Sequence, residues 1–177
     1  MPVFSWRGSK FEAPSIESAQ SYIQKQQLVG LPTDGPDPPS DILQRAKPYL
    51  GTIANTEDSL GLPRHLLKRV LYQESGFKPD VVDGQTTSSA GAVGIAQFMP
   101  ATAQARGIDP TDPTQSIQEA GKYLAELKDK TGSWDAALMA YNWGLGNLSS
   151  KGPDKAPAET KNYVAQITRD VPLGTNK

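Results

Sequence analysis

Four prolines crowd the segment Leu31-Pro32-Thr33-Asp34-Gly35-Pro36-Asp37-Pro38-Pro39-Ser40. A proline lacks the amide hydrogen and fixes φ, so neither a helix interior nor a central strand can run through this stretch. Any fold the chain adopts must break here. Ahead of the break, Ile16, Ala19, Tyr22 and Ile23 share one stripe and predict a helix from about Ser15 to Leu28. Its other face is Ser, Gln and Lys. Beyond the break, Ser40 or Asp41 is a plausible cap for a short helix ending near Lys47, before Pro48. Seven of the 15 prolines fall in the first fifty residues. Residues 1–50 therefore read as an arm with a proline-rich linker, docking on the main domain or on another protein and dispensable for chemistry. Residues 51–177 read as the main domain.

From about residue 60 the pattern is helical and punctuated by glycine. Pro63 suits a first turn, followed by Leu66, Leu67, Val70 and Leu71 at helical spacing up to Ser75-Gly76. Residues 76–95, with several glycines around Val81 and Val82, predict a loop excursion carrying a small β-ribbon. Further helices are expected from Pro100 to Gly107, through Ile117–Leu127 to Gly132, from the cap Ser133 to Gly144, and from about Ala156 to Arg169. The fold class is mostly α, with short helices and one glycine-rich excursion.

Composition narrows the chemistry. Eighteen basic residues against 19 acidic ones give a net charge of −1, without the clustered positive charge that neutralising nucleic-acid phosphates requires. There is no cysteine, which excludes disulfides and thiolate metal sites. The one histidine, His65, is expected at the surface and leaves a Ser/His mechanism a single candidate base. No apolar run is long enough to span a bilayer. The first ten residues lack the apolar core of a secretory signal.

Glu74 falls four residues after Val70 and three after Leu71, on the apolar stripe of its own helix. A carboxylate among core side chains resists ionisation, so its pKa should rise. A carboxylic acid still protonated near neutrality is what general acid catalysis needs. The alternative is a glutamate turned into solvent as the helix frays. Gly91-Ala92-Val93-Gly94-Ile95-Ala96-Gln97-Phe98-Met99-Pro100 offers glycines for close backbone approach to a ligand. Ala140-Tyr141-Asn142-Trp143-Gly144 places a ring and an amide at a helix end, facing a cleft or simply anchoring the core.

Taken in order, Glu74-Ser75-Gly76-Phe77, the Gly91–Pro100 stretch, Ala140-Tyr141-Asn142-Trp143-Gly144 and Glu159-Thr160-Lys161-Asn162-Tyr163-Val164 closely resemble the catalytic domain of soluble lytic transglycosylases, relatives of goose-type lysozyme. The resemblance covers about residues 55–168 and leaves the arm uncovered. It implies an α+β lysozyme-like fold with a glycan cleft between helical lobes. It makes Glu74 the single catalytic acid/base. Gln97 and Met99 match residues that contact the glycan, Tyr141 and Asn142 match residues lining the site, and Tyr163 matches a tyrosine close to the acid. Ser88 corresponds to a sugar-binding serine, with Ser89 its rival because the segment between Glu74 and Gly91 is longer here. Ile95-Ala96 replaces the family's Leu-Met, and the smaller Ala96 changes how a sugar ring packs.

The implied reaction cuts the β-1,4 bond between N-acetylmuramic acid and N-acetylglucosamine in peptidoglycan and leaves a 1,6-anhydro end, without cofactor or metal. A goose-type hydrolase, with Asp80 or Asp83 activating water, and a catalytically silent virion protein are the competing expectations. Monomeric action is expected of the catalytic domain, with virion or secretion-machinery proteins as partners of the arm. The expected setting is a phage virion or host cell, with action in the periplasm.

Overall fold

The structure, a computed structural model, describes residues 1–7, 9–171 and 173. It is mostly helical. The paired strands β1 (Val3–Trp6) and β2 (Ser9–Glu12) form an antiparallel ribbon with Phe4 opposite Phe11. Helices follow as α1 (Ile16–Leu28), α2 (Pro39–Ala46), α3 (Leu50–Leu60), α4 (Leu66–Ser75), α5 (Pro79–Val82), α6 (Pro100–Arg106), α7 (Pro113–Thr131), α8 (Trp134–Trp143), α9 (Leu145–Lys151) and α10 (Ala158–Asp170). Among the described residues no helix is long and apolar enough to cross a membrane. The β-ribbon expected in residues 76–95 is absent from that excursion. It holds the short α5 and one side of a single bridge, Val93 to Phe98, while the paired strands lie in the arm.

Helix α7 is the central strut. Asp112 accepts hydrogen bonds from the amides of Thr114 and Gln115, Pro113 fills the first turn, and Gly132 ends the helix in the left-handed region. It packs against α3 and α8, and α10 lies across α8 and α4. The approach of α3 is so close that a Cβ on Gly121 would meet the Thr56 methyl at 2.5 Å. Only glycine fits there.

The arm is docked on the domain. Leu31, Ile42 and Ala46 belong to the main hydrophobic core, the last two with no exposed surface. Lys68 donates to the Gln27 carbonyl at 2.8 Å, and Arg7 reaches the Ala54 carbonyl at 3.0 Å and the carboxylate of Glu57. Helix α2 begins at Pro39 without a side-chain cap, so neither Ser40 nor Asp41 performs that role. The α1 stripe contributes little, since Ile16 and Tyr22 are exposed and only Ala19 is buried. Ile42→Ala is expected to lower the unfolding free energy by about 3 kcal/mol, as buried Ile truncations do. Chemical denaturation measures this, and a loss below about 1 kcal/mol would show that the arm is separable. A chain starting near residue 50 loses Leu31, Ile42 and Ala46 together, and with them part of the main core.

Helix α4 is buried on nearly every side, including Lys68 and Arg69, rather than along a single apolar stripe. Its start is held by Glu57 of α3, whose carboxylate accepts from the amides of His65 at 3.1 Å and Lys68 at 3.3 Å. Glu57 is almost fully buried, and that burial pushes its pKa up. His65 is not the surface residue the sequence suggests. It is partly buried with a positive φ, and its pKa is lowered to about 4, first by burial and then by Lys68, Arg7 and Arg64. It lines a cavity of about 240 Å³ with Trp6, Arg7 and Glu57, one that does not contain Glu74.

Candidate active site

The last turn of α4 is built to hold one carboxyl group. Ser75 is buried, donates its hydroxyl to the Leu71 carbonyl at 2.9 Å, and accepts from the Phe77 amide at 3.2 Å. Gly76 caps the helix in the left-handed region, and its amide donates to the Tyr72 carbonyl at 2.8 Å. Phe77 also has a positive φ, strained for a side chain with a Cβ, and is held there by burial beside Tyr49 and Tyr72. Glu74 sits in this rigid turn, partly buried. The Tyr163 hydroxyl of α10 donates to Glu74 Oε1 at 2.6 Å. Burial pushes the Glu74 pKa from 4.5 up to about 7, outweighing the Tyr163 hydrogen bond, which favours the charged form and lowers it. The group is thus a proton donor and acceptor poised near neutrality. It has not turned into solvent.

Tyr141 and Asn142 lie in the last turn of α8, which Gly144 stops. The Tyr141 hydroxyl donates to the Ala96 carbonyl at 3.0 Å, tying α8 to the glycine-rich stretch, and its ring packs with Phe98 and Tyr123. Its phenol is raised well above the ordinary value, first by burial and then by the charge of Glu74. Asn142 is exposed, and its Oδ1 accepts from the buried Thr160 hydroxyl at 2.8 Å, which fixes it relative to α10.

Gln97 occupies a strained positive φ in the turn closed by the Val93–Phe98 bridge, and its amide donates to the Gly94 carbonyl at 2.9 Å. Met99 follows, an exposed apolar side chain. Ser88 is exposed, and its hydroxyl accepts from the Ala92 amide at 2.9 Å. The reason for glycine at position 94 is internal. A Cβ there would lie 1.8 Å from the Pro110 carbonyl oxygen, so it allows backbone packing and not ligand approach.

Two open cavities meet at Glu74. One, of about 530 Å³, is lined by Asn142, Glu159, Asn162 and Tyr163. The other, of about 570 Å³, is lined by Tyr72, Lys78, Arg169 and residues of the 32–37 segment. Gln73, Glu74 and Gln166 line both. Ser88, Gln97, Met99 and Tyr141 line neither cavity. Gln73, Glu159, Asn162 and Gln166 were not singled out from the sequence. The signal is present in α10, where the exposed Glu159, Asn162 and Gln166 follow helical spacing beside the buried Tyr163. Asp80 and Asp83 lie outside both cavities, and Asp80 is tied into its own turn by the Thr86 hydroxyl at 2.8 Å.

The chain is 34% identical over 123 residues to a transglycosylase of Enterobacteria phage PRD1, covering 69% of this chain and 42% of the relative. It is 34% identical over 131 residues to the peptidoglycan transglycosylase gp16 of Escherichia phage T7, covering 69% of this chain and 9% of that protein. It is also 34% identical over 114 residues to membrane-bound lytic murein transglycosylase F of Stutzerimonas stutzeri, covering 59% of this chain and 22% of the relative. The chain thus spans less than half the length of these curated relatives. Residues 51–164 match the transglycosylase SLT domain, and this chain belongs to that family.

Proposed function

We propose that this chain is a peptidoglycan lytic transglycosylase in which Glu74 is both acid and base. One observation carries the reading: a carboxyl group with its pKa raised to about 7, hydrogen-bonded by a buried tyrosine, where two open cavities meet. Protonated Glu74 gives its proton to the leaving glycosidic oxygen as the C1–O bond breaks. The substrate's own N-acetyl oxygen closes on C1. Glu74, now a carboxylate, takes the proton of the muramyl 6-hydroxyl, and O6 displaces the N-acetyl oxygen to form the 1,6-anhydro ring. Most glycosidases pair the acid with a second carboxylate, and substrate-assisted enzymes do not need one. Tyr163 holds the acid, Tyr141 ties α8 to the Ala96 carbonyl, and Asn142 offers its amide to the sugar. Gln97, Met99 and Ser88 are assigned to the glycan path beyond the two cavities.

The goose-type alternative asks Asp80 or Asp83 to activate water at the anomeric carbon, and neither lines a cavity at Glu74. The phage transglycosylases among the relatives support delivery in a virion and action on the periplasmic wall. The particle contact is assigned to the outer surface of residues 1–50, whose inner side packs on the domain. Purified peptidoglycan should lose turbidity when the protein is added. A stable suspension with correctly folded protein would refute the reading.

A further inference from the structure

Residues 32–37 lie outside the matched family span, which begins at residue 51, yet they wall the second cavity at Glu74. The strap is anchored to both helices that carry the Glu74–Tyr163 pair. Asp37 pairs with Arg45 at 2.7 Å, and Arg45 Nε donates to the carbonyl of Gly76, two residues beyond Glu74, at 3.0 Å. Asp34 pairs with Arg169, six residues beyond Tyr163 on α10, at 2.6 Å. Pro32 is buried, whereas Gly35 and Pro36 are exposed.

An acid that protonates a glycosidic oxygen has a sugar on each side of it. Asn142 and Tyr163 serve the cavity on one side of Glu74. On the other side, the wall is supplied by the strap together with Tyr72. We infer that residues 32–37 build a saccharide subsite adjoining Glu74, which takes an N-acetylhexosamine unit of the glycan strand. This rests on the transglycosylase reading and adds to it a specificity element supplied by the arm. The rings of Pro36 and Tyr72 give flat apolar surface for the C–H face of a pyranose, and a few placed amides fix its orientation. Arg69 donates to Gln73 Oε1 at 2.7 Å, which leaves the Gln73 amino group as the donor for a substrate oxygen. Gln166, on the shared boundary of the two cavities, supplies a second amide.

Gly35 allows a clean test. A Cβ built there meets the Tyr72 hydroxyl at 3.5 Å and Pro32 Cγ at 3.9 Å, ordinary contacts that leave the fold intact. A longer side chain occupies the subsite. The full chain carrying Glu74→Gln binds without turnover, so calorimetry with a peptide-free hexasaccharide of alternating N-acetylglucosamine and N-acetylmuramic acid reads affinity directly. Gly35→Ala should bind within about twofold of the parent, Gly35→Gln should be weaker, and Gly35→Trp weaker by roughly tenfold or more. With Glu74 present, the same series should raise KM while kcat and the pH profile stay put. If Gly35→Trp melts early, the Gly35→Gln variant carries the comparison. Equal affinities across a series with unchanged melting temperature would overturn the subsite. Cleavage by the wild type alongside a flat series removes the subsite alone, whereas a wild type that leaves peptidoglycan intact removes the transglycosylase reading.

Discussion

Replacing Glu74 by Gln should abolish peptidoglycan cleavage, a loss of about a thousandfold or more, because Gln keeps the shape but can neither give nor take the proton. The same substitution should leave a pH-dependent mark on stability. The native carboxyl holds its proton up to about pH 7, whereas an unperturbed carboxyl releases it from about 4.5. Between those values the folded state binds more protons than the unfolded chain, so wild-type stability falls as pH rises. The contribution is fully present below pH 4.5 and is lost as pH passes through 7. A glutamine side chain has no proton to lose. The Glu74→Gln variant should therefore match the wild type near pH 4 and be relatively more stable at pH 8, by on the order of 1–3 kcal/mol given the partial exposure of the group. Melts at both pH values check the sign. A surface glutamate would show no difference at either.

Tyr163→Phe should have the next largest effect. The hydroxyl donates to Glu74 Oε1 at 2.6 Å and is the one influence that lowers the carboxyl's pKa against the effect of burial. Removing it should raise that pKa further and move the basic limb of the pH–rate profile upward. Turnover should drop by roughly ten- to a thousandfold, the scale of a deleted active-site donor. Folding should be kept, since the ring remains packed. An unchanged rate and profile would remove Tyr163 from the site.

Much of the helical framework is legible because its ends are written in side chains. Ser133 accepts the hydrogen bond expected of a cap, Ser15 at the expected start of α1 does the same, and Gly76, Gly107, Gly132 and Gly144 end helices. Helix α3 escaped the sequence reading for a physical reason. It has no side-chain cap, and two of its three buried residues are Thr56 and Glu57, so its inward face does not read as apolar. Helix α9 is seven residues long and starts directly at the glycine that stops α8, with no signal of its own.

The site divides in the same way. Glu74 and Tyr163 come from motifs and meet in space. Gln73, Glu159, Asn162 and Gln166 needed the orientation of α4 and α10. The role of the strap depends on partners such as Asp34 and Arg169, 135 residues apart, which no local pattern announces. The glycines of the Gly91–Pro100 stretch suggest ligand approach, and at Gly94 it is the Pro110 backbone that approaches instead.

In the proposed reaction Glu74 directs the muramyl 6-hydroxyl, and not water, to the anomeric carbon. Digesting purified peptidoglycan in water enriched with oxygen-18 and weighing the released fragments tests it most directly. The muramyl ends should be lighter than hydrolysed ends by one water and free of the heavy isotope. Reducing muramyl ends carrying oxygen-18 would contradict it.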